Sequence, residues 1–310
     1  MRFAFVFPGQ GSQSVGMLDE FRDHPVVKET FEEASDALRQ DISRLIAQGP
    51  ANQLNLTTHT QPAMLTAAYA IYRVWKQAGG MVPAVIAGHS LGEYTALVAA
   101  DSITFRDAVL LVHFRAQAMQ QAVQMKAGGM AAILGLDDNT VLDVCSQAGS
   151  DGIVEAVNFN APTQIVIAGH IAALKKACEI ATTKGAKRAI LLPVSGPFHS
   201  SLLKPASDRL REYLADVSIR APQIPLINNV DVAIVSDPIR IKDALVRQTA
   251  SPVRWVECVR SIAAQKITHI IECGPGKVLA GITRCIDANL VSGAIVDPTS
   301  LNDTLKLLQH

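Results

Sequence analysis

The stretch Gly88-His89-Ser90-Leu91-Gly92 lies between a short apolar run at 82–87 and an Ala- and Leu-rich segment at 93–100. The apolar run predicts a buried strand, and the segment after it predicts a helix. A serine between two glycines at a strand-to-helix turn is typical of a nucleophile elbow, in which the tight turn exposes the hydroxyl and excludes bulky neighbours. An ordinary glycine-rich turn shares this five-residue pattern, so the stretch alone leaves both interpretations open.

Strands and helices alternate on both sides of this turn. Further strands are predicted at 2–7, 224–228, 269–273 and 294–296, and helices at 26–39, 59–78, 105–124 and 200–215. Because short turns connect these elements, the alternation predicts an α/β fold with a parallel sheet covered by helices.

The segment 125–194 has a different pattern. Strands are predicted at 130–136, 153–159, 164–168 and 189–194, and helices at 139–148 and 172–183. This βαββαβ order is typical of a ferredoxin-like arrangement. Since the alternating pattern resumes afterwards, we expect a small domain at 125–194 inserted into a large domain formed by 1–124 and 195–310.

The composition excludes several classes of protein. The 310 residues are 49% hydrophobic and 18% charged, with 28 acidic and 28 basic side chains. Zero net charge argues against broad attraction to nucleic acid or to an anionic membrane. The apolar run at 3–7 is too short for a signal peptide or a membrane span. Five scattered cysteines, an odd number without metal-like spacing, predict neither a disulfide framework nor a metal site, and indicate a reducing, cytoplasmic setting.

A nucleophilic serine needs a base, and the chain has eight histidines. His199 follows a predicted strand in a turn at the start of a helix, where the carboxyl edge of the sheet would bring it near the elbow. The ring of His89 is expected to diverge from its neighbour Ser90 and to serve packing. No acidic residue is identifiable as a third member that orients the base.

Arg115 is an anomaly in the helix predicted at 105–124. Helical spacing places it on the same face as the apolar Leu111 and Met119. A buried guanidinium without a partner is costly. The guanidinium of Arg115 can extend to solvent while its aliphatic part stays buried, or it can pair with an internal carboxylate. Alternatively, its partner is a group that arrives with the substrate.

Six motifs occur in order along the chain: FPGQGSQ at 7–13, GHSLGEY at 88–94, NFN at 158–160, FHS at 198–200, NNVD at 228–231 and GPGKVL at 274–279. Together they resemble the malonyl-CoA:acyl carrier protein transacylases of bacterial fatty acid synthesis. The resemblance covers nearly the whole chain. It implies an α/β-hydrolase-like large domain with an inserted ferredoxin-like small domain, and an acyltransferase that works by a ping-pong mechanism through a malonyl-serine intermediate.

The resemblance also implies roles for individual residues. Ser90 matches the family's nucleophile, and His199 matches its base. The backbone N–H groups of Gln10 and Leu91 match its oxyanion hole, the pair of donors that stabilises negative charge on the reacting oxygen. The base of the family is oriented by a backbone carbonyl rather than by an aspartate, and Gln248 matches that position.

Three further residues match the family's acyl site. Arg115 matches the arginine that holds the malonyl carboxylate. Asn160 is expected near the acyl group, although it could equally stabilise a loop. Phe198 stands where some relatives have serine, and its ring resembles the malonyl-selective form of the motif in polyketide acyltransferases, where it would crowd an α-methyl group.

The implied substrates are malonyl-CoA and an acyl carrier protein, with no cofactor, no metal and a monomeric enzyme. Carrier proteins are acidic, and five basic side chains cluster in the predicted small domain: Lys175, Lys176, Lys184, Lys187 and Arg188. A solvated charged face has the same composition. Alternative functions are the malonyltransferase subunit of a malonate decarboxylase, a serine thioesterase in which water deacylates Ser90, and a non-catalytic carrier-binding module.

Overall fold

The structure is a computed structural model that describes residues 2–122 and 128–309. Its strands are β1 Phe3–Phe7, β2 Val85–Gly88, β3 Gly128–Leu134, β4 Val154–Ala161, β5 Gln164–His170, β6 Arg188–Leu191, β7 Leu226–Ile227, β8 His269–Cys273 and β9 Val291–Ile295. Its helices are α1 Pro25–Leu38, α2 Ile42–Gln48, α3 Ala51–Leu54, α4 Thr57–Gln77, α5 Leu91–Ala99, α6 Phe105–Gln121, α7 Asp138–Ala148, α8 Ile171–Thr183, α9 Lys204–Ala215, α10 Pro238–Gln248, α11 Trp255–Ala264, α12 Val278–Ile286 and α13 Pro298–Gln309.

A parallel five-stranded sheet with the order β7-β2-β1-β8-β9 forms the larger part of the molecule. The central strand β1 is buried throughout, because helices cover both faces. The ring of Phe5 packs edge-on against Tyr72 and Trp75 of α4, whereas Val6 on the other face belongs to a core that contains Trp255. The predicted parallel, helix-covered sheet is therefore confirmed.

A separate antiparallel sheet has the order β4-β5-β3-β6. Helices α7 and α8 pack on one face, in a core that includes Ile133, Val144 and Leu174. Apolar residues of the other face, among them Val166, pack in a second cluster with Phe198 and Met119 of α6. The predicted βαββαβ order is confirmed, and this second face lies toward the parallel-sheet part.

Three predicted strands are shorter than the sequence pattern indicates. The runs at 82–87, 189–194 and 224–228 contain Pro83, Pro193 and Pro225, which lack the N–H that a strand ladder requires. Strands β2, β6 and β7 accordingly occupy only the proline-free parts.

The start of helix α4 also differs from the prediction. Helix α4 begins at Thr57, so Pro62 lies inside it, and the ring of His113 lies 3.3 Å from the carbonyl of Thr58 that Pro62 cannot engage. The last residues of the helix predicted at 105–124 and the proposed boundary at 124/125 lie outside the described residues. Within 2–122 and 128–309, no helix is long and apolar enough to cross a membrane.

Candidate active site

The turn at Ser90 has the conformation of a nucleophile elbow. Strand β2 ends at Gly88, α5 begins at Leu91, and Ser90 between them has φ of 53°, a value that side-chain-bearing residues rarely adopt. A Cβ on Gly88 would lie 1.9 Å from the carbonyl carbon of Gly92, and one on Gly92 would lie 2.0 Å from the carbonyl oxygen of Phe7. Both glycines are therefore required by close backbone approach.

His199 is hydrogen-bonded to the elbow serine. Its Nε2 lies 2.7 Å from Ser90 Oγ, and its Nδ1 lies 2.8 Å from the backbone carbonyl of Gln248. Because that carbonyl only accepts, Nδ1 carries the proton, and Nε2 is left to accept the hydroxyl proton of Ser90. Burial, reinforced by the nearby charge of Arg115, lowers the pKa of His199 to about 3, so the ring is neutral at neutral pH.

Arg115 lies beside this pair and is only 2% exposed. Its Nη1 donates to Gln61 Oε1 (2.7 Å), and its Nη2 donates to Gln248 Oε1 (3.0 Å) and to Ser90 Oγ (3.2 Å). The guanidinium also lies over the ring of Tyr94, 5.2 Å from its centroid. No carboxylate of the described residues lies within 4.0 Å of the guanidinium, so the internal ion pair considered above is absent.

Two backbone amides are available next to the serine. Leu91 is the first residue of α5, so its N–H has no acceptor within the helix. Gln10 follows β1 in the adjacent loop, where its side chain is held by Thr57 (3.0 Å). Neither N–H donates to an acceptor in 2–122 or 128–309, and both residues line the same cavity as Ser90.

This cavity has a volume of about 540 Å³ and opens between the two sheets. All the predicted site residues line it except Gln248, which lies behind Arg115 and His199. Phe198 forms part of the wall, packed with Met119 and Val166. Asn160 also lines the cavity, and its Oδ1 lies 2.8 Å from Nε2 of His89, whose ring packs against Trp255. The expected packing role of His89 is consistent with these contacts. The described residues contain no cluster of three or more His, Cys, Asp or Glu that could hold a metal ion.

Sequence reasoning missed three buried residues of the site: Gln61, Glu93 and Asn229. Gln61 holds Arg115, as described above. Asn229 Oδ1 accepts the N–H of Ser90 (2.7 Å), and its Nδ2 donates to the carbonyl of Gly88 (2.8 Å), so this side chain braces the elbow. Glu93 Oε2 accepts the backbone N–H of Asn229 (2.9 Å) and Gln248 Nε2 (2.9 Å). Burial raises the pKa of Glu93 to about 7. An acidic residue inside an otherwise apolar helix was the signal that could have revealed Glu93.

A serine elbow with a neutral histidine and two free amides is the arrangement of an enzyme that transfers acyl groups through serine. Residues 4–296 match the family described as acyl transferase domain, and the chain belongs to this family.

The names of individual relatives are more specific than the description of the family. The chain is 52% identical over 305 residues to a malonyl CoA-acyl carrier protein transacylase of Salmonella typhimurium, covering 98% of this chain and 99% of that one. Its sequence is 70% identical to that of an acyl-carrier-protein S-malonyltransferase from Burkholderia pseudomallei. The crystal structure of that protein matches with a TM-score of 0.98, covering 99% of this chain and 100% of that one. A second structure shows a malonyl-transacylase in complex with a type II polyketide synthase acyl-carrier protein; identity is 46%, the TM-score is 0.98, and the match covers 99% of this chain and 100% of that chain.

Proposed function

We propose that this chain is an acyltransferase that moves the malonyl group from malonyl-CoA to the phosphopantetheine thiol of an acyl carrier protein, supplying extender units for fatty acid synthesis. The observation that carries the proposal is the environment of Arg115. A buried cation lies 3.2 Å from Ser90 Oγ and is held only by neutral groups, so an acyl chain that ends in a carboxylate would complete its pairing.

The first half of the reaction acylates Ser90. His199 Nε2 takes the hydroxyl proton while Oγ attacks the thioester carbon, and the backbone carbonyl of Gln248 keeps the ring in the tautomer that can do so. The N–H groups of Gln10 and Leu91 stabilise the tetrahedral oxyanion. The C–S bond then breaks, His199 returns the proton to the CoA sulfur, and malonyl-Ser90 remains.

The second half returns the enzyme to its starting state. The carrier thiol enters the same cavity, and His199 accepts its proton as the sulfur attacks the ester carbon. The ester bond to Ser90 breaks, Oγ regains the proton, and malonyl-carrier leaves. The partner of His199 is a carbonyl rather than a carboxylate, so no third acidic member is required.

Asn160 and Phe198 complete the acyl site in this proposal. Asn160 is within hydrogen-bond distance of His89 and faces the cavity, which favours an indirect role in shaping the acyl pocket. The buried ring of Phe198 lies in the cavity wall and would crowd an α-methyl group on the acyl chain.

The test is the intact mass of the protein after mixing with malonyl-CoA, before and after addition of holo carrier protein. We expect a malonyl adduct that is absent from Ser90→Ala and that disappears when the carrier is added, with malonyl-carrier as the product. A wild-type protein that forms no adduct would refute the function. An adduct that decays equally fast without carrier would instead indicate a thioesterase.

The finer description of the fold belongs to the same proposal. We assign 1–124 and 195–310 to an α/β-hydrolase-like domain and 125–194 to a ferredoxin-like domain. The five parallel strands with an elbow after β2 support the first assignment, and the βαββαβ order with antiparallel pairing supports the second. A monomeric enzyme, as the resemblance implies, belongs to the same proposal. The five cysteines are unpaired, which favours a reducing, cytoplasmic setting.

A carrier protein would reach the cavity beside β6 in this proposal. Two of the five basic residues considered above have acidic neighbours: Lys184 pairs with Asp143 (2.8 Å) and Lys176 lies 3.9 Å from Glu179. Lys187 and Arg188 are exposed at the start of β6, and the chain continues from this strand into the cavity wall at 192–194. These two residues are therefore the proposed contact for the acidic carrier.

A further inference from the structure

A buried carboxylate lies behind the reacting serine, and the mechanism above does not use it. Glu93 is 2% exposed, on the helix that begins at the elbow. It accepts hydrogen bonds from the backbone N–H of Asn229 and from Gln248 Nε2, each at 2.9 Å. No cationic side chain of the described residues lies within 4.0 Å of it. A buried carboxylate without a cationic partner is costly, and its hydrogen bonds offset only part of that cost.

The side chain of Gln248 lies between Glu93 and Arg115. Its Oε1 accepts from Arg115 Nη2 at 3.0 Å, whereas its Nε2 donates to Glu93 Oε2 at 2.9 Å and to the carbonyl of Ser90 at 3.0 Å. An amide has an accepting end and a donating end. A cation on one side and an anion on the other stabilise one orientation of this amide, because the flipped amide would present N–H groups to the guanidinium and oxygen to the carboxylate.

The arrangement gives Arg115 a counter-charge without a direct ion pair. A carboxylate in contact with the guanidinium would occupy the donors that an incoming acyl carboxylate needs. A buried arginine with no anion nearby would have no Coulombic attraction to offset its desolvation cost. A neutral amide between the two charges avoids both problems, and it also fixes the position of Nη2 relative to the serine hydroxyl.

We propose that Glu93 is a positioning residue for carboxylate recognition, which acts through the side-chain amide of Gln248 to hold Arg115 in the orientation that captures an anionic acyl group. The proposal rests on the proposed function, because it assumes a malonyl substrate. It assigns to the Gln248 side chain a task separate from that of its backbone carbonyl, which orients His199.

The experiment compares malonyl-CoA with acetyl-CoA as donors, because acetyl lacks the carboxylate. The kcat/KM for acylation of Ser90 is measured for each donor at about pH 8, above the raised pKa of Glu93, and the malonyl-to-acetyl ratio is the readout. Glu93→Gln keeps an oxygen acceptor but removes the charge. Gln248→Met keeps the backbone carbonyl and the side-chain length but removes the amide.

We expect each variant to lower the malonyl-to-acetyl ratio at least about tenfold, with the larger part in the KM for malonyl-CoA. Since the two side chains act in series, the double variant should lower the ratio no further than the stronger single one. Asn229→Ala is the matched control: it removes the brace on the Ser90 N–H, so both donors should slow together and the ratio should stay within about threefold.

Three outcomes would overturn part of this reasoning. An unchanged ratio in Glu93→Gln, or an equal loss for both donors, would reduce Glu93 to a structural support of the elbow. If Glu93→Gln does not fold, an unchanged ratio in Gln248→Met would overturn the proposal on its own. A wild-type protein that takes no malonyl group would overturn the proposed function as well, and the wild-type measurement separates that failure from the others.

Discussion

Replacement of Arg115 by alanine tests the charge recognition on which the proposed specificity depends. In the wild type, Arg115 is only 2% exposed, so its guanidinium would form a buried ion pair with a malonyl carboxylate. Removing one partner of a buried ion pair costs about 3–5 kcal/mol. Because about 1.4 kcal/mol corresponds to a factor of ten, the rate of malonyl transfer should decrease by a factor of between about one hundred and a few thousand.

The same substitution affects acetyl transfer much less. An acetyl group offers no carboxylate to Arg115, so the wild type leaves the cation unpaired with this donor and the variant loses only the 3.2 Å hydrogen bond to Ser90 Oγ. We therefore expect acetyl transfer to fall only about tenfold, because this bond is long and its donor is shared with Gln248, which places it at the low end of the range of about 1.5–3 kcal/mol for a hydrogen bond to a charged group. The malonyl-to-acetyl ratio should collapse.

The assay is single-turnover acylation of Ser90, followed by intact mass with malonyl-CoA and acetyl-CoA in parallel. Arg115→Lys is the control that keeps the positive charge but not the planar fork, and it should lie between alanine and wild type. Arg115→Ala leaves Gln61 Oε1 and Gln248 Oε1 without their hydrogen-bond donor, so the thermal unfolding of this variant must be measured as well. A ratio in Arg115→Ala equal to that of the wild type would refute the reasoning.

Four further predictions follow from individual contacts. Because His199 accepts a proton in its neutral form and its pKa is lowered to about 3, acylation by a neutral thioester such as acetyl-pantetheine should stay level from about pH 8 to about pH 5.5; an acid limb centred near the ordinary histidine pKa of about 6.5 would contradict this. Gly92→Ala should lower the free energy of unfolding by about 1–3 kcal/mol or more in urea titrations, because its Cβ would meet the carbonyl of Phe7, whereas Gly281→Ala in α12 has open space and should be neutral or stabilising. Charge reversal at Lys187 and Arg188 should raise the KM for carrier protein and leave acylation by malonyl-CoA unchanged; an equal effect on both half-reactions would exclude this docking contact. Phe198→Ser should raise the methylmalonyl-to-malonyl ratio in competition assays, and an unchanged ratio would show that the ring does not limit the α-substituent.

The local pattern of the chain was sufficient to predict the fold class and a strand-turn-helix at Ser90, but it left open whether that turn is a nucleophile elbow or an ordinary glycine-rich turn. Alternating apolar runs and helical segments predicted both sheets, and the glycines at 88 and 92 marked the turn that the structure contains. These features are local, since strand, turn and helix signals act over a few residues. Strand ends were predicted less well, because Pro83, Pro193 and Pro225 interrupt apolar runs that otherwise look continuous.

The arrangement of the site depends on contacts between distant parts of the chain. Sequence periodicity identified Arg115 as an anomaly but left open whether an internal carboxylate neutralises it, and only the structure shows neutral partners at Gln61 and Gln248, 54 and 133 positions away. Gln248 was expected to serve through its backbone carbonyl, and its side-chain contact with Glu93 had no sequence signal of its own. Hydrogen-bond partners separated by more than a hundred residues are set by how helices pack on the sheet, and that packing is a property of the whole fold. The sequence alone therefore determined which residue types are available to the site. The tertiary structure decided that the amide of Gln248 lies between the charges of Arg115 and Glu93.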